Sequence, residues 1–67
     1  MIVLNGERTD LVAGTPLADA IERLGLSLDA RGVAVAVDGQ VLPRSEWQSY
    51  RLAEETRVEV LTAMQGG

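Results

Sequence analysis

Two dipeptides, Asn5-Gly6 and Asp38-Gly39, constrain this chain more than any other feature, because each directly follows a short apolar run. A two-residue type I′ turn needs positive φ at both central positions, and Asn-Gly or Asp-Gly supplies it at little steric cost. Each pair therefore predicts a β-hairpin. The first joins Ile2-Val3-Leu4 to the segment from Glu7 to Leu11, and its register puts Ile2, Leu4, Thr9 and Leu11 on the inward face. Val3, Arg8 and Asp10 then fall on the other side. The second joins Val33 to Val37 with Gln40 to Leu42. Val33 to Val37 is wholly apolar, as expected of a strand covered at least partly on both faces. Pro43 cannot donate to a ladder and closes the return strand.

Between the hairpins lies one helix signal. Thr15 is placed to cap and Pro16 to occupy the first helical position, where its missing N–H is not needed. Leu17, Ala20, Ile21 and Leu24 recur at i, i+3, i+4 and i+7 as one apolar stripe, with Asp19, Glu22 and Arg23 toward water. Gly25 fits the position just past the helix end. Ser27 to Gly32 reads as a connector. Ser45-Glu46-Trp47 reads as one short helical turn capped by Ser45, with Trp47 as a lid over one end of the core. Tyr50 and Leu52 fall in a loop. Glu54-Glu55-Thr56 turns into a last strand from Arg57 to Thr62, where Val58 and Val60 alternate with Arg57 and Glu59. The order strand, strand, helix, strand, strand, strand predicts an α+β domain, with the helix across one face of a mixed sheet of four to five strands.

Composition narrows the function classes. Sixty-seven residues make one small domain near the lower limit at which a single core suffices without staples, so the 46% hydrophobic content must be buried efficiently. With no Cys and no His, disulfides, structural zinc, iron-sulfur clusters and the usual nucleophile–base pairs are excluded, leaving only carboxylates as metal ligands. Neither a bound cofactor nor a catalytic site of its own is expected. A formal charge of -4 opposes binding to nucleic acid or an anionic membrane, and favours a protein partner with a basic surface. The four apolar residues Met1 to Leu4 are too few for a signal peptide or a membrane span, so the expectation is a cytoplasmic protein, monomeric when free.

The sequence ends Ala63-Met64-Gln65-Gly66-Gly67, directly after the last strand-like run. At glycine usage of about 7%, a glycine pair in the final two places arises by chance in roughly one chain in 200. Glycine puts no bulk beside the peptide plane, so such an ending passes through a constriction that excludes side chains. Fully extended, five residues reach about 17 Å at roughly 3.4 Å each. The chain thus divides into a domain over 1–62 and a flexible functional tail over 63–67, whose terminal carboxylate is delivered into another protein's active site. A frayed terminus is the competing reading of the same glycines.

Three stretches taken together resemble the ThiS family, the sulfur carriers of bacterial thiazole formation in thiamine biosynthesis. They are Asn5-Gly6-Glu7, Leu42-Pro43-Arg44-Ser45-Glu46-Trp47, and Arg57 through Gly67, in the family's order and spanning essentially the whole chain. The Pro-Arg-x-x-Trp element discriminates, because a diglycine end is shared with ubiquitin-like modifiers and with the small subunit of molybdopterin synthase. Leu42 stands where valine is usual. The resemblance implies a ubiquitin-like β-grasp fold with the first and last strands adjacent and parallel. It also implies that the Gly67 carboxylate is adenylated by an E1-like adenylyltransferase using ATP and magnesium. A sulfur-transfer enzyme of the cysteine desulfurase type then leads to a thiocarboxylate, which thiazole synthase consumes. Gly66, Gln65, Met64 and Ala63 would thread the partner's active site. The alternatives are a ubiquitin-like modifier, and a molybdopterin synthase subunit or a sulfur carrier for another pathway.

Outside the tail, Leu61 points outward if Val58 and Val60 face the helix, and with Val3 it forms a candidate docking surface beside the tail. An ordinary surface leucine is the plainer alternative. Trp47 is read as packing before partner anchor, and Glu54-Glu55 as a solvated acidic turn. All six basic residues are arginines, so the chain offers an activated terminus no lysine amine. That absence fits suppressed self-acylation, and equally fits drift from lysine to arginine.

Overall fold

Both glycine turns form as the sequence predicts. Asn5 and Gly6 have φ of 51° and 82°, and Asp38 and Gly39 have φ of 50° and 86°, the paired positive values of a type I′ turn. The structure is a computed structural model that describes residues 1–29 and 31–62. Its elements are β1 (Val3–Leu4), β2 (Glu7–Arg8), α1 (Leu17–Arg23), β3 (Val33–Val37), β4 (Gln40–Leu42), a single 3₁₀ turn (Arg44–Glu46) and β5 (Arg57–Thr62). The five strands form one sheet in the order β2-β1-β5-β3-β4.

The first and last strands are neighbours, parallel, with Val3 opposite Arg57 and Leu4 opposite Val58. The other pairings are antiparallel. β5 therefore runs through the middle of the sheet, flanked by β1 and by the five-residue β3, which pairs it from Val37 opposite Val58 to Val33 opposite Thr62. The core lies on one side. Ile2, Leu4, Val35, Val37, Val58 and Val60 meet Leu17, Ala20 and Ile21 of α1, and Leu42, Trp47 and Leu52 close the ends. On β3 the second face is covered only in part, with Ala36 half-buried and Ala34 exposed.

Four local expectations change. β2 ends at Arg8: the Thr9 N–H still donates to the Ile2 carbonyl at 3.0 Å as a last in-register rung, but the Thr9 hydroxyl also donates to that carbonyl at 2.8 Å and accepts from the Leu11 N–H at 3.1 Å, which turns the chain away. The ladder is thus replaced by a side-chain turn. Thr15 does not cap α1. Its hydroxyl turns back to the Val12 carbonyl at 2.7 Å, while Pro16 is extended and bridges Arg51. The free N–H groups of Leu17 and Ala18 instead donate to the carbonyls of Tyr50 and Trp47, at 2.8 and 2.9 Å. Tertiary carbonyls thus satisfy donors that a cap would otherwise take. Leu24, assigned to the apolar stripe, is 39% exposed, because the helix has ended by then, and Ala18 is buried in its turn of the helix. Ser45 lies inside the 3₁₀ turn, which starts after Pro43 without a side-chain cap.

Gly25 takes φ of 84° after the last helical residue, and its N–H donates to the Glu22 carbonyl at 2.9 Å. That is the left-handed end the sequence predicts. Trp47 is buried and its indole N–H donates to the Leu42 carbonyl at 3.2 Å, so it serves as packing. The arginine of the Pro-Arg-x-x-Trp element has a structural use. The Arg44 guanidinium lies 4.7 Å from the Trp47 ring centroid and donates to the Leu28 carbonyl, clamping the connector between α1 and β3 onto the tryptophan. Leu52 lies outside any helix or strand yet is among the most buried side chains in the core.

Candidate functional site

The sequence points to the C-terminal end, and the fold determines how that end is approached. β5 is gripped beyond its two ladders by the side chains of both turn residues. The Asn5 side-chain oxygen accepts from the Val60 N–H at 2.7 Å, just where β1 has run out, and the Asn5 N–H donates to the Val58 carbonyl at 2.8 Å. At the start of the strand, Asp38 accepts from the Arg57 N–H at 2.9 Å and donates its own N–H to the Arg57 carbonyl at 2.8 Å. The two residues chosen for positive φ thus also extend the pairing of β5. Its last described residue, Thr62, is still paired with Val33. The expectations placed on Ala63, Met64, Gln65, Gly66 and Gly67 lie outside the described residues.

The face of the sheet opposite α1 carries the remaining candidates. Leu61 is 67% exposed and stands opposite Ala34, while Ala36 stands opposite Val41, which is 70% exposed. These four residues make an apolar patch across β5, β3 and β4, at the end of β5 from which residues 63–67 continue. Val3 shares this open face but not this patch. It is in register with Arg57, four residues before Leu61, or about 13 Å along the strand at roughly 3.3 Å per residue. The candidate pair Val3 and Leu61 is thereby split. Val3 belongs to a separate groove of about 460 Å³ lined by Met1, Val3, Gly6, Arg8, Glu55 and Arg57.

Val41, Ala34 and Ala36 are patch residues that pattern reading missed. A usable signal existed. A two-residue turn at Asp38-Gly39 forces Val41 opposite Ala36, so their common face follows from the register.

Charge on this side of the molecule concentrates at the start of β5. The Met1 amine lies 2.7 Å from Glu55 and 3.0 Å from Glu54. The Glu55 carboxylate, and after it Glu54, holds this amine above its ordinary pKa, and the amine in turn draws Glu55 below the usual carboxylate value. These groups are exposed, so the clasp is screened by solvent and salt. Among the described residues there is no group of three or more His, Cys, Asp or Glu suited to hold a metal ion, and no helix is long and apolar enough to cross a membrane.

A mixed five-strand sheet with parallel outer segments of the chain at its centre and one helix across a single face defines a ubiquitin-like β-grasp protein. The comparisons narrow this further. The model of the ThiS family matches residues 2–67, and the chain belongs to that family. Two solved structures are similar over nearly the whole chain. One is a crystal structure of the thiamine biosynthesis protein ThiS from Geobacter metallireducens, with 25% identity and a TM-score of 0.73, covering 98% of this chain and 97% of that one. The other is a solution structure of a thiamine biosynthesis protein from Geobacter metallireducens, with 25% identity and a TM-score of 0.76, covering 98% and 86%. No curated protein sequence matches the chain.

Proposed function

We propose that this chain is the sulfur carrier of a thiamine thiazole pathway, a protein co-substrate that works through the carboxylate of Gly67. The observation that carries the reading is the family match, which runs through both terminal glycines to residue 67. The central, doubly paired β5 supports it, because a strand held on both sides and by two side chains is a firm base for a reactive end.

The chemistry explains why other proteins are needed. An α-carboxyl with a pKa of roughly 3.3 to 3.7 is an anion at neutral pH and a poor electrophile. A carboxylate oxygen attacks the α-phosphorus of ATP in an E1-like adenylyltransferase, expelling pyrophosphate and giving an acyl-adenylate. Magnesium and basic groups of that partner stabilise the charge. A persulfide supplied through a cysteine desulfurase type of enzyme displaces AMP to give an acyl disulfide, and a partner thiol attacks the partner-side sulfur, leaving a disulfide there and releasing the thiocarboxylate that is the sulfur source for thiazole synthase. Gly67 leaves the carbonyl carbon open to attack, and Ala63 to Gly66 form the part that enters the partner. The protein itself holds no ATP and contributes no acid or base.

The test is intact-mass analysis after incubation with an E1-like partner, ATP and a sulfur donor. Replacement of one terminal oxygen by sulfur is expected, and it should vanish in a chain lacking Gly67 that keeps its fold. Gly67→Val should fold normally and turn over slowly. Conjugates on lysines of other proteins would instead assign the chain as a modifier, and thiocarboxylate formed without Gly67 would refute its role.

A further inference from the structure

Among the described residues, the groove at the start of β5 brings Arg8 and Arg57 together on a chain of net charge -4, and the proposed carrier chemistry makes no use of it. Three adjacent strands place Arg8, Val3 and Arg57 in one row on the open face, since Val3 pairs with Arg8 on one side and Arg57 on the other. Their backbones are two strand spacings apart, about 10 Å between the arginines at roughly 4.8 Å per spacing. The charged groups lining the groove are Arg8, Arg57, the Met1 amine and Glu55, and because the amine is paired with both Glu54 and Glu55, the two arginines carry the positive charge of the groove. Glu55 is engaged by the amine. The Arg57 guanidinium makes no ion pair among the described residues. Its backbone is fixed by Asp38 on both its N–H and its carbonyl, so the base of the arm is rigid while the arm itself is exposed.

We propose that this groove is a docking seat for an acidic, extended segment of a partner protein, with carboxylates at alternate positions engaging Arg8 and Arg57 across Val3. Charge complementarity selects this occupant. Arginine forks match carboxylates, and alternate residues of an extended segment put two of them on one side about 7 Å apart, a gap the arginine arms span. A single inorganic anion would leave the Val3 floor uncovered. Two arginines are too few to form the continuous basic patch that nucleic acid or an anionic membrane requires. Glu59, two residues along β5, bounds the basic area on the side toward Leu61, so the seat and the apolar patch are distinct surfaces of one face. The inference goes beyond the carrier reading and does not depend on the chemistry of Gly67.

The experiment uses the full chain labelled with ¹⁵N and a blocked peptide carrying two glutamates at alternate positions, with the glutamine version as control. At low salt the glutamate peptide should shift the amides of Val3, Gly6, Arg8 and Arg57, and high salt should abolish the effect. Arg57→Gln should weaken binding about tenfold, the scale of one charge-assisted contact, with its amide spectrum otherwise retained. Arg31→Gln removes the same charge elsewhere and should leave binding unchanged. Equal binding of the glutamine peptide, equal weakening by Arg31→Gln, or the same shifts at the same concentration of inorganic phosphate would each overturn the proposal.

Discussion

Leu52→Ala is the substitution that best separates this fold from a reading of its sequence pattern. Leu52 belongs to no helix or strand, yet it is 1% exposed and packs in the cluster with Ile2, Leu17, Ile21 and Trp47. Its backbone also joins two segments, donating to the Thr15 carbonyl at 2.9 Å and accepting from the Gly14 N–H at 2.7 Å. Removing a buried leucine side chain costs about 2–5 kcal/mol, the lost transfer energy plus that of the cavity. A domain of 67 residues has roughly 3–10 kcal/mol in total, so about half of the stability is at stake. Taking about 3 kcal/mol and an unfolding entropy of roughly 0.14 kcal/mol/K for this length, the Tm falls by about 20 °C. Urea unfolding followed by Trp47 fluorescence reads this directly, since the ring is buried in the native state. Leu24→Ala and Leu61→Ala are the comparisons. Leu24 fits the helical period but is partly exposed, and Leu61 is mostly exposed. The expected order of cost is Leu52, then Leu24, then Leu61 at about 0.5 kcal/mol or less. A Leu24→Ala cost equal to that of Leu52→Ala would refute the assignment of Leu52 as a principal core residue.

Other perturbations test individual devices. Asn5→Ala removes the acceptor of the part-buried Val60 N–H and puts alanine at a φ of 51°, so it should cost about 2 kcal/mol and speed hydrogen exchange at the Val60 amide; unchanged exchange there would contradict the bond. Arg44→Ala should cost about 1–2 kcal/mol and shift Trp47 emission to the red, because both the cation over the ring and the tie to Leu28 are lost; an unchanged emission spectrum would count against the clamp. The amine clasp is pH-dependent in two directions. Because the Met1 amine is raised from 8.0, its contribution is complete below pH 8 and is lost as pH rises through the higher folded value. Glu55 is lowered from 4.5, so its contribution is present above pH 4.5 and is lost as pH falls through the lower folded value. An NMR titration should show the amine returning toward 8.0 in Glu55→Gln, and an identical titration in the variant would remove Glu55 as the cause.

What the sequence discloses here is whatever short-range sterics decide. Both type I′ turns, the bounds of β3, β4 and β5, and the left-handed Gly25 follow from local conformational preference, and the structure reproduces them. The placement of β1 beside β5 joins residues more than fifty positions apart, and no periodicity encodes it. That expectation came from the resemblance, which the family match supports. Thr15 is the instructive miss. Its residue type and its place before Pro16 satisfy the capping rule, but the carbonyls of Tyr50 and Trp47 arrive from a distant loop and take the donors first. Leu52 fails for the same reason in reverse, since a single leucine flanked by Arg51 and Ala53 has no period and its burial is set by what folds over it. On the open face, Val3 and Leu61 were grouped by their outward direction alone. The parallel register with β1 sets Val3 beside the start of β5, whereas the antiparallel register with β3 sets Leu61 opposite Ala34 at its other end.

The same register explains how a chain this small separates its core from the face it leaves open. The inward residues of β5, Val58 and Val60, belong to the core, and the outward ones, Arg57, Glu59 and Leu61, are exposed. Substitutions on the outward face therefore alter what a partner meets without opening a cavity, and those on the inward face do the reverse. Asn5 and Asp38 couple the two roles. Each is required locally by its turn, and each fixes an amide of β5, so the hairpins that build the two halves of the sheet also hold the strand that leads to residues 63–67. Pulling on that strand works against β1 on one side and β3 on the other, an arrangement that an edge strand would not provide. Such a centre-strand anchor ties the stretch leading to residues 63–67 to a strand paired on both sides.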